Sequence, residues 1–227
     1  MGYERLGKQT GVRSLSFPAD YACQNSGICC SSAWEVAVKE RVELALRPRL
    51  SGASLRLPHG PNGFRPMIDP PNGCTSRLRR HEPSGSCWFH DGVARLCAVH
   101  REFGESALPS ACRQFPRICV LEPGVVSVSL SHYCPTAAAM LFRLSADFDV
   151  VAEAPAFPGS WPYEGLDARE AYPPFLRHGV ILGFDGLRAF EASAVEALRG
   201  NDVYLGLAES GPRLRASEDG LPRRAVW

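Results

Sequence analysis

The sequence predicts an α+β fold: a small, irregular, metal-stapled cysteine-cluster domain over residues 15–145, with short helices and a β-hairpin, then a mostly helical extension with a flexible tail over 146–227. Three observations predict it. All nine cysteines lie in the first 134 of 227 residues. Two runs around Glu122-Pro123-Gly124 have strand character, and the second, Val125–Leu130, alternates valine with serine as a half-buried strand does. Proline and glycine crowd residues 47–73 and 145–165, which marks an irregular connection and a boundary.

The elements follow in order. Residues 1–20 read as a loosely structured lead-in, and Tyr21–Ser32 as a small, polar, cysteine-rich loop. Trp34–Val38 reads as a short strand. Lys39–Leu46 reads as a helix that Pro48 should end. Thr75–Arg80 and Cys87–Phe89 are expected to pair across the turn at 81–86. Ala94–Phe103 has helical spacing, with Leu96, Val99 and Phe103 on one side and Gly104 as its stop. Leu108–Gln114 suits a turn or two of helix. Pro135 suits the first turn of another, running to about Leu144. Leu166–His178 and Leu187–Arg199 are the helices expected in the extension.

Composition narrows function. The chain is 45% hydrophobic and 22% charged, ordinary for a folded domain. Its net charge of +1, from 25 basic and 24 acidic residues, makes no field for nucleic acid or an anionic membrane. No apolar run approaches the ~20 residues that span a bilayer, and the amino terminus lacks the apolar run of a secretory signal. A cytoplasmic location is the expectation. A reducing compartment does not keep disulfides, and an odd number of cysteines does not close a disulfide framework.

Thiols at this density point to a soft metal centre, zinc or iron–sulfur, rather than magnesium or calcium. Cys23, Cys29 and Cys30 share one loop, where Gly27 lets the backbone bend. In extended backbone the side chains of adjacent Cys29 and Cys30 would point to opposite faces. Further ligands must come from Cys87, Cys97, Cys112 and Cys134. Zinc and a four-iron cluster each need only four. His90 and His100 follow Cys87 and Cys97 by three residues, and His132 precedes Cys134 by two; each is a secondary candidate, equally well explained as a surface histidine. Arg113 and Arg117 would hold a carboxylate or offset the charge of a thiolate-bound metal, or else form surface ion pairs. The basic run Arg77, Arg79, Arg80 and His81 reads as a solvated strand face. Asp91 and Glu102 lie near the motif without an acid–base assignment.

The order of these segments resembles a family. Cys23-Gln-Asn-Ser-Gly-Ile-Cys29-Cys30 is similar to the CxxCxxCC signature of the zinc- or iron-chelating cysteine-cluster family. Cys87, Cys97-Ala-Val-His100, Cys112-Arg-Gln-Phe-Pro-Arg117 and Ser127–Pro135 resemble, in particular, its flagellin lysine N-methylase branch, over residues 18–142. The resemblance implies a metal centre. For that branch it also implies methyl transfer from S-adenosylmethionine to a lysine of a protein substrate, with an iron–sulfur cluster involved. Ser26 stands at the second cysteine of the signature. Either that position is not an essential ligand, or Cys74 or Cys119 replaces it, or the site is degraded. Gly179–Gly186 is glycine-rich but lacks the strand context of a nucleotide loop, and reads as a helix end and turn. The CxxxCxxC spacing of radical clusters is absent.

Overall fold

The computed structural model describes residues 11–199 apart from 53–55, 72, 144–147, 153–161, 171–174, 178–179 and 182. The described residues form a mixed α+β structure with several sheets. The strands in chain order are β1 (Gly11–Leu15), β2 (Ala37–Lys39), β3 (Phe64–Pro66), β4 (Cys74–Leu78), β5 (His90–Asp91), β6 (Leu96–Cys97), β7 (Arg117–Glu122), β8 (Val125–Leu130), β9 (Val150–Val151), β10 (Leu166–Asp167), β11 (Phe175–Arg177) and β12 (Val180–Ile181). The helices are α1 (Ile28–Ser31), α2 (Glu40–Leu50), α3 (Ala98–Phe103), α4 (Ser110–Gln114), α5 (Pro135–Leu141) and α6 (Phe184–Leu198).

The expected hairpin is β7–β8, paired from Arg117↔Leu130 to Glu122↔Val125. Gly124 takes φ +75° in its turn, a region open to glycine. Alternation puts Val126 and Val128 inside, 0% and 4% exposed, against Cys119 and Leu121. The hairpin centres a five-stranded sheet in the order β10-β7-β8-β1-β9. The lead-in is thus partly structured. β1 runs parallel to β8, and Val12 packs on this core. A five-residue strand gains its stability from that neighbour, which local sequence does not display.

Leu166–His178, expected as a helix, contains β10 and β11 instead. β10 lies parallel to β7, and Gly165 explains how it gets there. A Cβ at that position would stand 2.0 Å from the Cys119 carbonyl oxygen. β9 pairs with β1, so strand pairing crosses the boundary expected near residue 145. α6 is tied to the same sheet by ion pairs from Arg188 to Glu122 and from Arg13 to Glu191. Glu122 is only 6% exposed, so its carboxylate needs that cation and the Ser127 hydroxyl that donates to it at 2.9 Å.

The second core carries the cysteines. Antiparallel strands β2, β4 and β3, in that spatial order, pack beneath α2. Glu40 and Glu43 in its first turn and Arg47 and Arg49 in its last suit the helix dipole. α2 runs two residues past Pro48, because Leu46 and Leu50, one turn apart, are both buried at 2% exposure. Val38, Phe64, Phe89, Val99 and Leu108 complete this core, with Cys87, Cys97 and Cys112 packed against it. The pairing expected between Thr75–Arg80 and Cys87–Phe89 shrinks to the single bridge Arg80↔Cys87. Beyond it the chain folds into the β5–β6 ribbon, where the Asp91 carboxylate accepts the amides of Val93 and Ala94 at 3.1 and 3.0 Å. That turn uses Ala94 and Arg95, so α3 begins only at Ala98.

Gly63 faces the tip of the Phe89 ring, and a Cβ there would stand 2.0 Å from its Cζ. Gly63→Ala is therefore expected to cost about 1–3 kcal/mol of unfolding free energy by overpacking, measured by urea denaturation.

Candidate metal centre

The first cysteine loop is shaped by two residues of positive φ, Asn25 at 53° and Gly27 at 74°. The Asn25 amide donates to Cys23 Sγ at 3.4 Å. The Ser26 hydroxyl accepts the Ile28 amide at 3.4 Å, which starts α1. Cys29 and Cys30 thus sit in a helical turn, about 100° apart around its axis, and not on opposite faces of an extended strand. Their thiols interact directly.

One backbone contact and one side-chain contact hold the neighbouring segments to this turn. The Cys87 amide donates to the Cys30 carbonyl at 2.6 Å, and the Trp34 indole donates to the Cys29 carbonyl at 2.9 Å. Trp34 then meets Phe115 edge-on, with ring centroids 4.6 Å apart, which places the end of α4 beside the loop. Cys97 enters through β6, paired with His90. Cys112 enters on α4 and Cys134 at the start of α5.

Cys30 is the centre of the thiol group. Its ionisation is coupled to the thiols of Cys29, Cys87 and Cys97. It keeps its proton far above the ordinary thiol range, through the interaction with Cys29 first. The same interactions lower its three partners: Cys29 to about 7, Cys97 to about 7, and Cys87 below the ordinary value near 9.0. One thiol therefore keeps its proton while its neighbours become ready thiolates. Burial pushes Cys112 well above that value, and the charge of neighbouring thiolates at Cys87 and Cys97 adds to it. Among the described residues, no group of three or more Cys, His, Asp or Glu side chains is already placed to hold a metal ion. The fit to a soft metal lies in the donor set: several thiols near one place, three of them poised to ionise.

These cysteines line a cavity of about 470 Å³. Its wall carries Cys23, Cys29, Cys30, Cys87, Cys97, Cys112 and Cys134, all seven of the residues singled out from the sequence. Cys74 and Cys119 are not on it. Cys74 opens β4, and Cys119 is buried in the hairpin core, where burial pushes its thiol to about 11. Neither is at hand to replace the cysteine missing at Ser26, which itself lines the wall.

Arg113 and Arg117 also line the cavity. Arg113 is 8% exposed, and its guanidinium donates to the Leu108 carbonyl at 3.5 Å. Arg117 lies 5.4 Å from the Tyr21 ring centre, and burial lowers its pKa. His100 lines the cavity, whereas His90 and His132 do not. His90 Nε2 is buried without a hydrogen-bond partner, 3.0 Å from where a Gly27 Cβ would stand. The His132 ring stacks on Tyr133 at 4.7 Å. The basic run has structural partners: Arg77 pairs with Glu35, Arg79 covers Trp88 at 4.1 Å, and Arg80 donates to the carbonyls of Trp34 and Gly85. Asp91 and Glu102 both pair with Arg101, at 2.9 and 3.0 Å.

Sequence reasoning missed Tyr21 and Trp34. Tyr21 Oη lies 3.5 Å from Cys134 Sγ, and burial, then this bond, raises its pKa. Its position two residues before Cys23 was the available signal. No protein-family model, curated protein or solved structure matches the chain.

The depressed thiols favour the folded, reduced, metal-free chain increasingly between about pH 7 and the ordinary value near 9.0, a contribution lost as pH falls through about 7. The raised Cys30 and Cys112 act oppositely once unfolded thiols ionise. Cys29 is exposed and Cys119 buried. Iodoacetamide should therefore alkylate Cys29 first, with a rate midpoint near 7 in a pH series read by peptide mass spectrometry. Cys30→Ala should move that midpoint upward.

Proposed function

We propose that this chain is a metal-binding protein whose cysteine cavity holds zinc or an iron–sulfur cluster. The convergence of Cys23, Cys29, Cys30, Cys87, Cys97, Cys112 and Cys134 on one cavity, with Cys74 and Cys119 outside it, carries this reading. Segments from Tyr21 to Cys134 meet there in an irregular region with few long elements. A bound metal supplies cross-links among them, and such links contribute folding free energy, on the order of 10 kcal/mol for structural zinc. In this reading the metal staples the α+β domain over 15–145, and the segment from 146 extends it. Cys29, Cys87 and Cys97 are the first thiolates available, and Arg113 and Arg117 offset the negative charge that accumulates. Anaerobic purification followed by metal and sulfide analysis should give either zinc alone or iron with matching sulfide and visible absorption. Cys30→Ser and Cys112→Ser should each lower metal content and melting temperature. Cys74→Ser should leave both unchanged. A metal-free wild-type protein, or unchanged metal in both cavity variants, would overturn the reading.

A second reading has one observation in its favour. A space of about 470 Å³ is larger than a metal alone needs and falls in the range of small-molecule sites. Tyr21, Trp34 and Phe115 give it aromatic walls, and Arg113 and Arg117 give it anion-binding groups. These features suit an S-adenosylmethionine-dependent protein lysine N-methylase-like enzyme acting on a cytoplasmic protein, with the adenosylmethionine carboxylate near the arginines. S-adenosylmethionine at millimolar concentration should then raise the melting temperature of the metal-loaded protein. Absence of a shift leaves the metal-binding module alone.

A further inference from the structure

Away from the cavity wall, two histidines from distant segments lie face to face. The rings of His59 and His81 are stacked, with centroids 4.0 Å apart and planes 5° from parallel. Both residues are half-buried. His59 belongs to the loop over residues 57–63. His81 opens the turn over 81–86, where the amides of Ser84 and Gly85 donate to its carbonyl at 3.2 and 2.8 Å. The loop is anchored at its ends: Leu57 packs on the apolar core, and the Gly63 carbonyl accepts the Arg79 amide at 2.8 Å. Its tip is held by side chains. The Trp88 indole donates to the Gly60 carbonyl at 2.9 Å, the Trp88 ring lies 5.3 Å from that of His59, and His59 closes the stack onto His81.

A first proton has a place in this stack. A charged His81 donates from Nδ1 to the Ser84 hydroxyl, 3.0 Å away, and Ser84 lies 2.7 Å from the Ser86 hydroxyl. A second proton has none. Two charges at this spacing repel, and the groups around the pair give no relief. Arg79 lies over the Trp88 ring at 4.1 Å, and Arg80 donates to the Gly85 and Trp34 carbonyls, so both add positive charge. The carboxylate beside His81, Glu82, is paired with Arg65 at 3.1 Å. We infer that His59 and His81 form an acid-opened clasp: when both rings are protonated, the tip of the 57–63 loop leaves Trp88 and the 81–86 turn. Burial, and then the charge of His81, lower the pKa of His59. The closed clasp is therefore favoured above the ordinary histidine value of about 6.5 and is penalised as pH falls through it. Trp88 follows Cys87 directly, so opening removes a support from the segment that carries this thiol.

The full-length protein, purified anaerobically and kept reduced, is followed by hydrogen–deuterium exchange at about pH 7.5 and about pH 5.5, with rates corrected for the intrinsic effect of pH. In wild type, amides of the 57–63 loop should exchange about fivefold faster or more at the acid value, while the β7–β8 hairpin keeps its protection. His59→Phe and His81→Phe each retain an aromatic ring without the second charge, and each should abolish most of that response. The cysteines are the same in all three proteins, so their titration does not produce the difference. Ring C–H resonances in NMR give a second readout: the titration midpoint of His59 should rise in His81→Gln. Equal corrected exchange at both pH values in wild type overturns the clasp, as does a full response in both phenylalanine variants. A His59 midpoint that His81→Gln leaves in place overturns the repulsion, and the clasp with it, even where a phenylalanine ring disturbs the loop at both pH values.

Discussion

The hydrogen bond from the Cys87 amide to the Cys30 carbonyl, 2.6 Å, joins two stretches of chain that no regular element connects. Everything at the cavity is built outward from it. On one side it fixes the helical turn that presents Cys29 and Cys30. On the other it fixes the bend from which Phe89 drops into the core and the β5–β6 ribbon departs. The Cys87 carbonyl accepts the His90 amide at 2.9 Å, so both polar groups of this one residue's backbone are used. With that joint made, Cys97 enters through strand pairing with His90, and Cys112 through packing against the apolar core. A loop-rich region needs such a joint because it has little ladder hydrogen bonding of its own.

The proton economy of the thiols follows from the same convergence. Four isolated cysteines would titrate alike. Gathered on one sulfur, they do not: Cys30 holds a proton for the group, and its neighbours give theirs up more readily. The buried guanidinium of Arg113 and the half-buried one of Arg117 supply positive charge on the wall of the same cavity.

Much of the candidate site was legible because cysteine is informative in a chain without a disulfide framework. The seven residues selected by spacing and by family resemblance share one cavity wall, and the two held back do not. The β7–β8 hairpin was legible for an equally local reason, valine–serine alternation beside Pro123-Gly124. The two-residue strands at the edges of that sheet were not. β9 and β10 have two residues each, and they exist only because β1 and β7 offer edges; Gly165 permits the second of these approaches. The turn of helix at Cys29-Cys30 was hidden for a related reason. Small polar residues around a glycine read as loop, and only the Ser26 hydroxyl and the Gly27 bend convert them. Tyr21 escaped because its partner, Cys134, is 113 positions away.

Phe89 touches both worlds in this molecule. It stacks edge-on against Phe64 at 5.8 Å, fills the space above Gly63, and stands two residues after Cys87. Cys87, Cys97 and Cys112 lean on the same apolar cluster that this ring completes. Placement of the sulfurs and cohesion of the interior are therefore not separate properties that selection could adjust one at a time. A change that loosens the greasy side of this wall displaces the thiols that lean on it, and a change at one of these thiols is felt as a packing defect.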